Sequence, residues 1–573
     1  MIAGGLEIAA GAHEPAIRAR LEQMTREDVA ARLARHDVAL WGDDPTHQKV
    51  AANRLGWLDA PAVMRARVTE LEAFAAEIAA DGFRHALLLG MGGSSLAPET
   101  LMQTFGARTG RLELAVLDNT SPRAVRATLE AHDPQHTLVI VSSKSGGTLE
   151  VVSFEKAVFD WMTRARGAGA GRAFIAITDP GTTLGDLARA RGYRRTFENA
   201  PDIGGRYSAL SYFGLVPAAL IGADLAALLD RAVAELDTDR LETAAANNAG
   251  LALGAALGEL ALAGRDKLTL VLGESLEALG PWVEQLVAES TGKQGRGLLP
   301  VDDEPLADPE RYGADRVFVV VYEGVLPPPH ARRLDALQAA GHPVLRWKRD
   351  ALSDLGAEFA RWEVATATAG HVIGVDPFDE PNVSEAKQAT QQVLTDFLAR
   401  GHFEEPAPLA SFGGLSVYAP AAFAATLEAD RRLGDDPCDW VCALVDQLAP
   451  HDYLAMLAWF ARTPRRHELL QSIRLAARDR RAVATTLGYG PRYLHSTGQL
   501  HKGGPASGVF LQLSAEKDEW PIPGERYGFK AVHRAQCLGD YLTLDRRGRR
   551  VLRVHMSGGV EHSLETLLDA LRS

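Results

Sequence analysis

The sequence predicts an α/β protein with two parallel-sheet domains preceded by a helical segment. Short, uniformly apolar runs alternate with helix-like segments, and such runs are typical of strands that are buried on both faces of a parallel sheet. The chain has 573 residues, which is too long for one hydrophobic core and long enough for two or three domains.

The predicted N-terminal helical segment covers residues 1–60. From Glu14 to about Ala80 the sequence has the periodicity of amphipathic helices and is rich in Ala, Leu, Arg and Glu. A first α/β domain is predicted over residues 61–250. Its strand-like runs, each followed by a turn signal, are Ala86–Leu89, Leu114–Leu117, Thr137–Val141 and Phe174–Ile177.

A second α/β domain is predicted over residues 251–573. A mostly helical insertion at about 353–448 interrupts it, so its strands come from both sides of the insertion. The predicted strands are Lys267–Leu272, Val317–Tyr322, Ala482–Leu487, Gly508–Leu513 and Arg550–His555.

The overall charge excludes several classes of partner. A formal net charge of −13 disfavours a surface that binds nucleic acid or anionic lipid.

The longest stretch without a formal charge, Tyr207–Ala223, is interrupted by Gly214 and Pro217 and is too short to cross a membrane. The start of the sequence lacks a basic segment followed by an apolar run, so we expect no signal peptide and a cytoplasmic protein.

Cysteine usage points to a reducing compartment, because three cysteines make no disulfide framework. Cys438 and Cys442 lie four residues apart without a second pair of ligands, which favours apolar thiols over a structural zinc site. There is no HExxH motif and the histidines are scattered. The sequence therefore predicts no metal and no cofactor.

Two glycine-rich turns follow predicted strands of the first domain. The segment LLLGMGGSS (87–95) lacks the third glycine of the dinucleotide fingerprint, since position 95 is Ser95. The segment VIVSSKSGGTLE (139–150) adds three serines, a lysine and a threonine. Hydroxyls and exposed amides suit a phosphate. The alternatives are a tight connection for the first turn and a helix-capping serine for the second. Two such turns on one sheet favour a phosphomonoester site.

Two further segments carry charged candidates. In DIGGRYS (202–208), Arg206 follows two glycines and precedes an apolar helix, so its guanidinium could stabilise an anionic intermediate or close a domain by an ion pair. In WVEQLVAESTGK (282–293), an acidic residue near a helix end is a candidate general base. This segment is no Walker loop, because Gln294 replaces the required Ser/Thr.

Together the four segments resemble the phosphoglucose isomerase family, whose two sugar-isomerase (SIS-type) domains are parallel-sheet α/β sandwiches. Two further segments match the family: NVSEAK (382–387), which follows DPFD (376–379), and LHSTGQ (494–499). More narrowly, the chain resembles the isomerase half of bacterial transaldolase–isomerase fusion proteins. The resemblance implies reversible isomerisation of glucose 6-phosphate and fructose 6-phosphate in glycolysis and gluconeogenesis, without cofactor, by a homodimer.

The resemblance also implies a role for each matching residue. Glu289 would be the base that moves a proton between C2 and C1, and Arg206 would stabilise the cis-enediolate. His495 would open the sugar ring, and Lys387 would assist at the ring oxygen. Gln285 would contact the substrate. The phosphate would be held by Gly93, Ser94, Ser143, Lys144, Ser145 and Thr148.

The chain departs from the family in one respect. In typical members the histidine precedes the lysine segment, whereas here Lys387 precedes His495. We interpret this order as a rearranged second domain. The alternatives are a loop histidine with only local hydrogen bonds and a solvated helix lysine.

Three other functions remain to be weighed. A glutamine-dependent amino-sugar synthase needs an N-terminal cysteine nucleophile, but the first cysteine here is Cys438. An isomerase that also accepts mannose 6-phosphate differs only in details of the pocket. A sugar-phosphate sensor would have lost catalysis, and the joint presence of Glu289, Arg206 and His495 argues against it. The sequence is silent on any scaffold role.

Overall fold

Three β-sheets organise the computed structural model, which describes residues 1–237, 245–429, 433–515 and 517–573. The first sheet has five strands in the order β4-β3-β5-β6-β7, and all neighbouring strands are parallel. Its strands are β3 (His85–Leu89), β4 (Glu113–Leu117), β5 (Thr137–Ser142), β6 (Phe174–Thr178) and β7 (Arg195–Glu198). Every residue of β5 and β6 is buried, which explains their uninterrupted apolar sequence.

The second sheet has six strands in the order β1-β2-β11-β10-β8-β9. The strands β8 to β11 are parallel, whereas β2 pairs antiparallel with β11 and β1 with β2. The strands are β1 (Ile2–Ala3), β2 (Leu6–Ala9), β8 (Lys267–Leu272), β9 (Leu299–Val301), β10 (Arg316–Glu323) and β11 (Val344–Arg349).

The third sheet also has six strands, in the order β12-β13-β17-β16-β14-β15. Its last four strands in this order are parallel, and an antiparallel hairpin extends the sheet at the opposite edge. The strands are β12 (Ala410–Phe412), β13 (Leu415–Tyr418), β14 (Tyr453–Trp459), β15 (Ala484–Tyr489), β16 (Gly508–Ser514) and β17 (Arg550–Met556).

Helices cover the sheets and fill the space between them. Those of the first half are α1 (Glu14–Arg26), α2 (Val29–Ala34), α3 (Pro45–Ala52), α4 (Ala60–Arg65), α5 (Val68–Ala80), α6 (Leu96–Phe105), α7 (Pro122–Glu130), α8 (Leu149–Arg166), α9 (Thr183–Ala190), α10 (Tyr212–Ile221), α11 (Leu225–Glu235) and α12 (Ala249–Leu262). Those of the second half are α13 (Gly280–Thr291), α14 (Pro328–Ala339), α15 (Leu355–Ile373), α16 (Pro381–Arg400), α17 (Ala421–Leu427), α18 (Pro437–Asp446), α19 (Pro464–Arg481), α20 (Gly498–Gly503), α21 (Phe529–Arg546) and α22 (Val560–Arg572).

The predicted strands of the second half belong to two sheets rather than to one. The runs before the insertion lie in the second sheet, and those after it lie in the third sheet. The insertion itself contains the hairpin β12–β13 besides helices. Apolar content marks a buried strand, but it does not specify the neighbour with which that strand pairs. The N-terminal segment likewise begins with two short strands before its helices.

The hydrophobic core follows this division. One large cluster of buried side chains joins the N-terminal helices with the first and second sheets, and a separate cluster packs around the third sheet. The charge-free stretch around Gly214 forms α10, whose residues from Phe213 to Ile221 are buried. Within the described ranges, no helix combines the length and apolar character that a membrane span requires.

Candidate active site

The second glycine-rich turn opens onto a cavity of about 340 Å³. Thr148 is the N-terminal flanking residue of α8, and its backbone is extended, so the turn leads directly into the helix N-terminus. The cavity is lined by Ser145, Gly147, Thr148, Leu149, Glu150, Val383, Ala386, Lys387, Gln388, Thr390, Gln391, Leu494, His495 and Gln536. Hydroxyls, a helix N-terminus, a lysine and a histidine therefore face one space.

Hydrogen bonds within the turn set its shape. The Ser143 hydroxyl lies 3.2 Å from that of Thr148 and accepts from the Gly146 amide at 3.2 Å. Lys144 points elsewhere: its ammonium donates to Asp179 at 2.5 Å and to the carbonyl of Pro201 at 2.8 Å. Of the predicted phosphate ligands in this turn, the cavity lining thus includes Ser145 and Thr148.

The first glycine-rich turn packs against the rest of the site. A Cβ added to Gly93 would lie 1.8 Å from the carbonyl oxygen of Gly205, next to Arg206. Gly92 has a φ of +55°, and its Cβ position lies 2.8 Å from Nε2 of Gln285. Ser94 is buried in the same turn. This turn therefore holds the Arg206 segment and α13 in close approach.

The predicted base and guanidinium form a buried ion pair. Glu289 lies on α13, and its Oε1 is 3.5 Å from Nη1 of Arg206. Burial raises the pKa of Glu289, and the negative charge of Glu380 raises it further. The positive charge of Arg206 lowers this pKa but does not outweigh the other two effects. Burial on its own would lower the pKa of Arg206, but the two carboxylates outweigh it and raise the pKa.

Arg206 is fixed by an acceptor at each of its nitrogens. Its Nε donates to Ser290 at 2.8 Å, and its Nη1 donates to Glu380 at 3.0 Å. Its Nη2 donates to the carbonyls of Pro377 at 2.6 Å and Asp379 at 2.9 Å. The guanidinium is therefore held in place before any ligand arrives, as electrostatic preorganisation requires.

Gln285 connects the base to the predicted ring-opening histidine. Its Nε2 donates to Glu289 at 3.1 Å and to the backbone carbonyl of His495 at 2.8 Å. Gln285 and Glu289 are one helical turn apart on α13, which puts both side chains on one face. The segment after β15 thus brings His495 to the same helix that carries the base.

His495 faces a carboxylate from the first domain. Its Nε2 lies 2.9 Å from Oε1 of Glu150, at the N-terminus of α8. Burial would raise the pKa of Glu150, but the charge of His495 and the hydrogen bond to it outweigh burial and lower the pKa. Lys387, exposed on α16, lines the same cavity and adds to the positive charge that Glu150 meets. The unusual order of Lys387 and His495 in the chain still brings both to one cavity.

Several residues of the site were not predicted from the sequence. Glu150 follows the second turn at a helix start, where an acidic residue is a recognisable signal. Glu380 directly follows the DPFD segment (376–379). Gln536, whose amide donates to Glu150 at 2.7 Å, lies in the middle of α21 and has no motif around it.

Comparisons with known proteins show which family the chain resembles. The family model described as phosphoglucose isomerase matches residues 65–297. A glucose-6-phosphate isomerase from Rubrobacter xylanophilus is 30% identical over 390 residues, which cover 58% of this chain and 88% of that relative. The chloroplastic glucose-6-phosphate isomerase 1 of Arabidopsis thaliana is 27% identical over 356 residues, which cover 54% of this chain and 57% of the plant protein.

Solved structures show the same fold. The glucose-6-phosphate isomerase of Chlamydia trachomatis superposes with a TM-score of 0.57 at 18% identity, covering 69% of this chain and 89% of that chain. A hypothetical protein from Thermus thermophilus superposes with a TM-score of 0.54 at 24% identity, covering 68% of this chain and 99% of that chain.

Proposed function

This chain belongs to the phosphoglucose isomerase family, and from that premise we propose that it interconverts glucose 6-phosphate and fructose 6-phosphate. The observation that carries the proposal is the buried Glu289–Arg206 pair, which Gln285 joins to the His495 segment. A base, a fixed cation and a histidine are the groups that an aldose–ketose isomerisation requires.

The phosphate end of the substrate is assigned to the second turn. The hydroxyls of Ser145 and Thr148 and the N-terminus of α8 offer donors to an anion inside the cavity. Ser143 orients Thr148, while Gly93 and Ser94 support the site from the first turn. Binding energy from the phosphate then helps to position the reacting carbons.

Ring opening is assigned to His495 with Lys387. The histidine hands a proton to the ring oxygen as the bond between C1 and that oxygen breaks, and the C1 hydroxyl releases its proton to water, which restores the proton of the histidine. The cyclic sugar thus becomes an open-chain aldehyde without net change in protons. Glu150 accepts a hydrogen bond from His495 and holds the imidazole in place. Lys387 adds a positive charge on the same side of the cavity.

Proton transfer is assigned to Glu289. Its carboxylate removes the proton from C2, the electron pair moves to the carbonyl oxygen, and Arg206 stabilises the cis-enediolate that results. The proton of the C2 hydroxyl moves to the oxygen on C1, and the same carboxyl returns its proton to C1, so that C2 becomes the carbonyl of the ketose. A pKa raised by burial suits a base that must take up and release a proton near neutral pH.

The test measures isomerisation of fructose 6-phosphate with a coupled dehydrogenase specific for glucose 6-phosphate. We expect turnover by the wild type and a loss of at least about 1,000-fold in kcat for Glu289→Gln. The matched control is Glu363→Gln, which changes another buried carboxyl of the chain. Absence of turnover by folded wild-type protein on either hexose phosphate would contradict the proposal.

The resemblance to the family also supports a homodimer in the cytoplasm that works in glycolysis and gluconeogenesis. Sedimentation of the purified protein tests the assembly, with a mass twice that of the 61.6 kDa chain as the expected result.

A further inference from the structure

A buried chain of hydrogen bonds extends from His495 away from the cavity. Glu150 Oε1 lies 2.9 Å from the His495 ring and accepts from Gln536 Nε2 at 2.7 Å. Gln536 Oε1 in turn lies 2.7 Å from the Thr120 hydroxyl, which is 3.0 Å from Nδ1 of His533. Thr120, Gln536 and His533 are each at most 2% exposed.

The donors of this chain follow from its chemistry. A carboxylate accepts only, so Gln536 must turn its NH₂ group toward Glu150 and its carbonyl oxygen toward Thr120. The hydroxyl has one proton, which it therefore donates to Gln536. Burial lowers the pKa of His533 to about 4, so its ring is neutral. The Thr120 hydroxyl therefore accepts a hydrogen bond from Nδ1–H of His533.

The orientation of the Gln536 amide decides the environment of Glu150. If the amide turned over, its carbonyl oxygen would face the carboxylate, and two acceptors would meet at hydrogen-bond distance. The Thr120 hydroxyl holds the favourable orientation, because it supplies the donor that the amide oxygen needs. Three parts of the chain meet here: the loop after β4, the start of α8 and the middle of α21.

We propose that Thr120 and Gln536 are positioning residues for ring opening, which hold the Glu150 carboxylate aligned on His495. The proposal rests on the proposed function of the site. Neither residue needs to touch the reacting atoms: Thr120 acts through Gln536, and Gln536 acts through Glu150. Their effect is confined to the step in which His495 moves a proton at the ring oxygen.

The decisive variants are Thr120→Val, which removes the hydroxyl at nearly constant volume, and Thr120→Ser, which keeps it. The matched control is Thr543→Val, which changes a buried threonine on α21 whose hydroxyl donates to the Gly539 carbonyl of the same helix. We expect Thr120→Val to lower kcat about 10-fold with little change in KM. Thr120→Ser and Thr543→Val should stay within about 2-fold of the wild type.

Ring opening can be isolated in the Glu289→Gln background, which cannot transfer the proton from C2. There, protein-catalysed exchange between the α and β anomers of glucose 6-phosphate reports ring opening and closure. NMR exchange spectroscopy should show a drop of about 10-fold on adding Thr120→Val and no drop on adding Thr120→Ser. Equal exchange rates in the two double variants would overturn the proposal.

The position of His495 can be read without any turnover. In protein labelled with ¹⁵N-histidine, the signals of His495 are assigned by their loss in His495→Gln. We expect Thr120→Val to shift these signals and Thr120→Ser to leave them in place. Unchanged signals in Thr120→Val would overturn the proposal even in an active enzyme. Shifted signals in a protein that fails to isomerise would instead count against the proposed function.

Discussion

The two glycine-rich turns resemble each other in sequence but differ in their surroundings. Both follow adjacent parallel strands of the first sheet, β3 and β5. The turn around Gly93 is pressed against the Gly205 carbonyl, whereas a Cβ built on Gly147 meets no atom within 4 Å in the described part of the chain. The first turn is a packing element and the second faces the cavity.

This difference shows how one local design supports two tasks. Glycine lets the backbone approach whatever lies beside it closely. Whether the neighbour is protein or open space determines whether the turn packs or binds a ligand. At the first turn the surface is protein, so the turn fixes Arg206 and Gln285. At Gly147 in the second turn it is open space, which hydroxyls and a helix N-terminus line.

The largest effect is expected from a substitution at Gly93 that disrupts the first turn. Gly93→Ala puts a methyl group 1.8 Å from the Gly205 oxygen, so the segment that carries Arg206 must move. Displacement of about 1 Å in a catalytic group can cost about 100-fold in rate. We expect at least about a 100-fold loss of kcat in the coupled assay, together with a lower Tm.

The matched control is Gly147→Ala in the second turn, which has room for the methyl group. It should leave the Tm nearly unchanged and affect KM more than kcat. Equal losses in the two variants would contradict the distinction between a packing turn and a binding turn.

The next effect concerns substrate binding by the second turn. Thr148→Val removes a cavity-facing hydroxyl at nearly constant volume, so KM for fructose 6-phosphate should rise about 10-fold, or about 1.4 kcal/mol. The inhibition constant of inorganic phosphate should rise in parallel. Thr163→Val, an exposed change on the same helix, serves as the control. A fall in kcat at constant KM would speak against a phosphate ligand.

A third effect concerns α13, on which the first turn packs. Burial raises the pKa of Glu284 to about 7. The hydrogen bond that its carboxylate accepts from Ser496 lowers the pKa but does not outweigh burial. The carboxyl is thus more easily ionised in the unfolded chain than in the folded one. Its contribution to stability is complete below about pH 4 and is lost as the pH rises through about 7.

The substitution Glu284→Gln removes this loss of folding stability at high pH, because glutamine does not ionise. Between pH 5 and pH 8 the wild type should lose about 2 kcal/mol of unfolding free energy through this group, and the variant should not. Thermal unfolding at both pH values measures the difference. A variant whose Tm falls as steeply as that of the wild type would contradict the assignment.

The smallest effect concerns Lys144, which the second turn holds against Asp179 at 2.5 Å. Asp179→Asn removes the charge that competes with a bound phosphate for this lysine. KM for fructose 6-phosphate should fall about 2-fold to 3-fold, and the change should vanish in a Lys144→Met background. A KM that rises instead would mean that Asp179 orients the lysine for binding.

The strands with continuous apolar sequence were predictable, and all nine predicted runs coincide with strands. Strands with charged or short segments were missed, as in β11 (Val344–Arg349), where arginine and lysine interrupt the run. The sequence also missed β14 (Tyr453–Trp459), although it is fully buried. The pairing into separate sheets depends on how the connections pack, which no local pattern records.

The site divides in the same way. The motif residues could be proposed as site residues because strand ends, glycines and hydroxyls form local patterns that suit a phosphate and a base. Thr120 and Gln536 were not, because a hydrogen bond between residues 416 positions apart leaves no trace in local sequence. Glu380, which shares Arg206 with the base, was equally hidden.

The wide separation of these partners along the chain has a consequence for folding kinetics. The contact between Glu150 and His495 closes a loop of 345 residues. Such contacts carry a large loop-closure entropy and follow local structure in time. During refolding, helical circular dichroism should therefore recover before enzymatic activity, so that activity reports the last stage of folding.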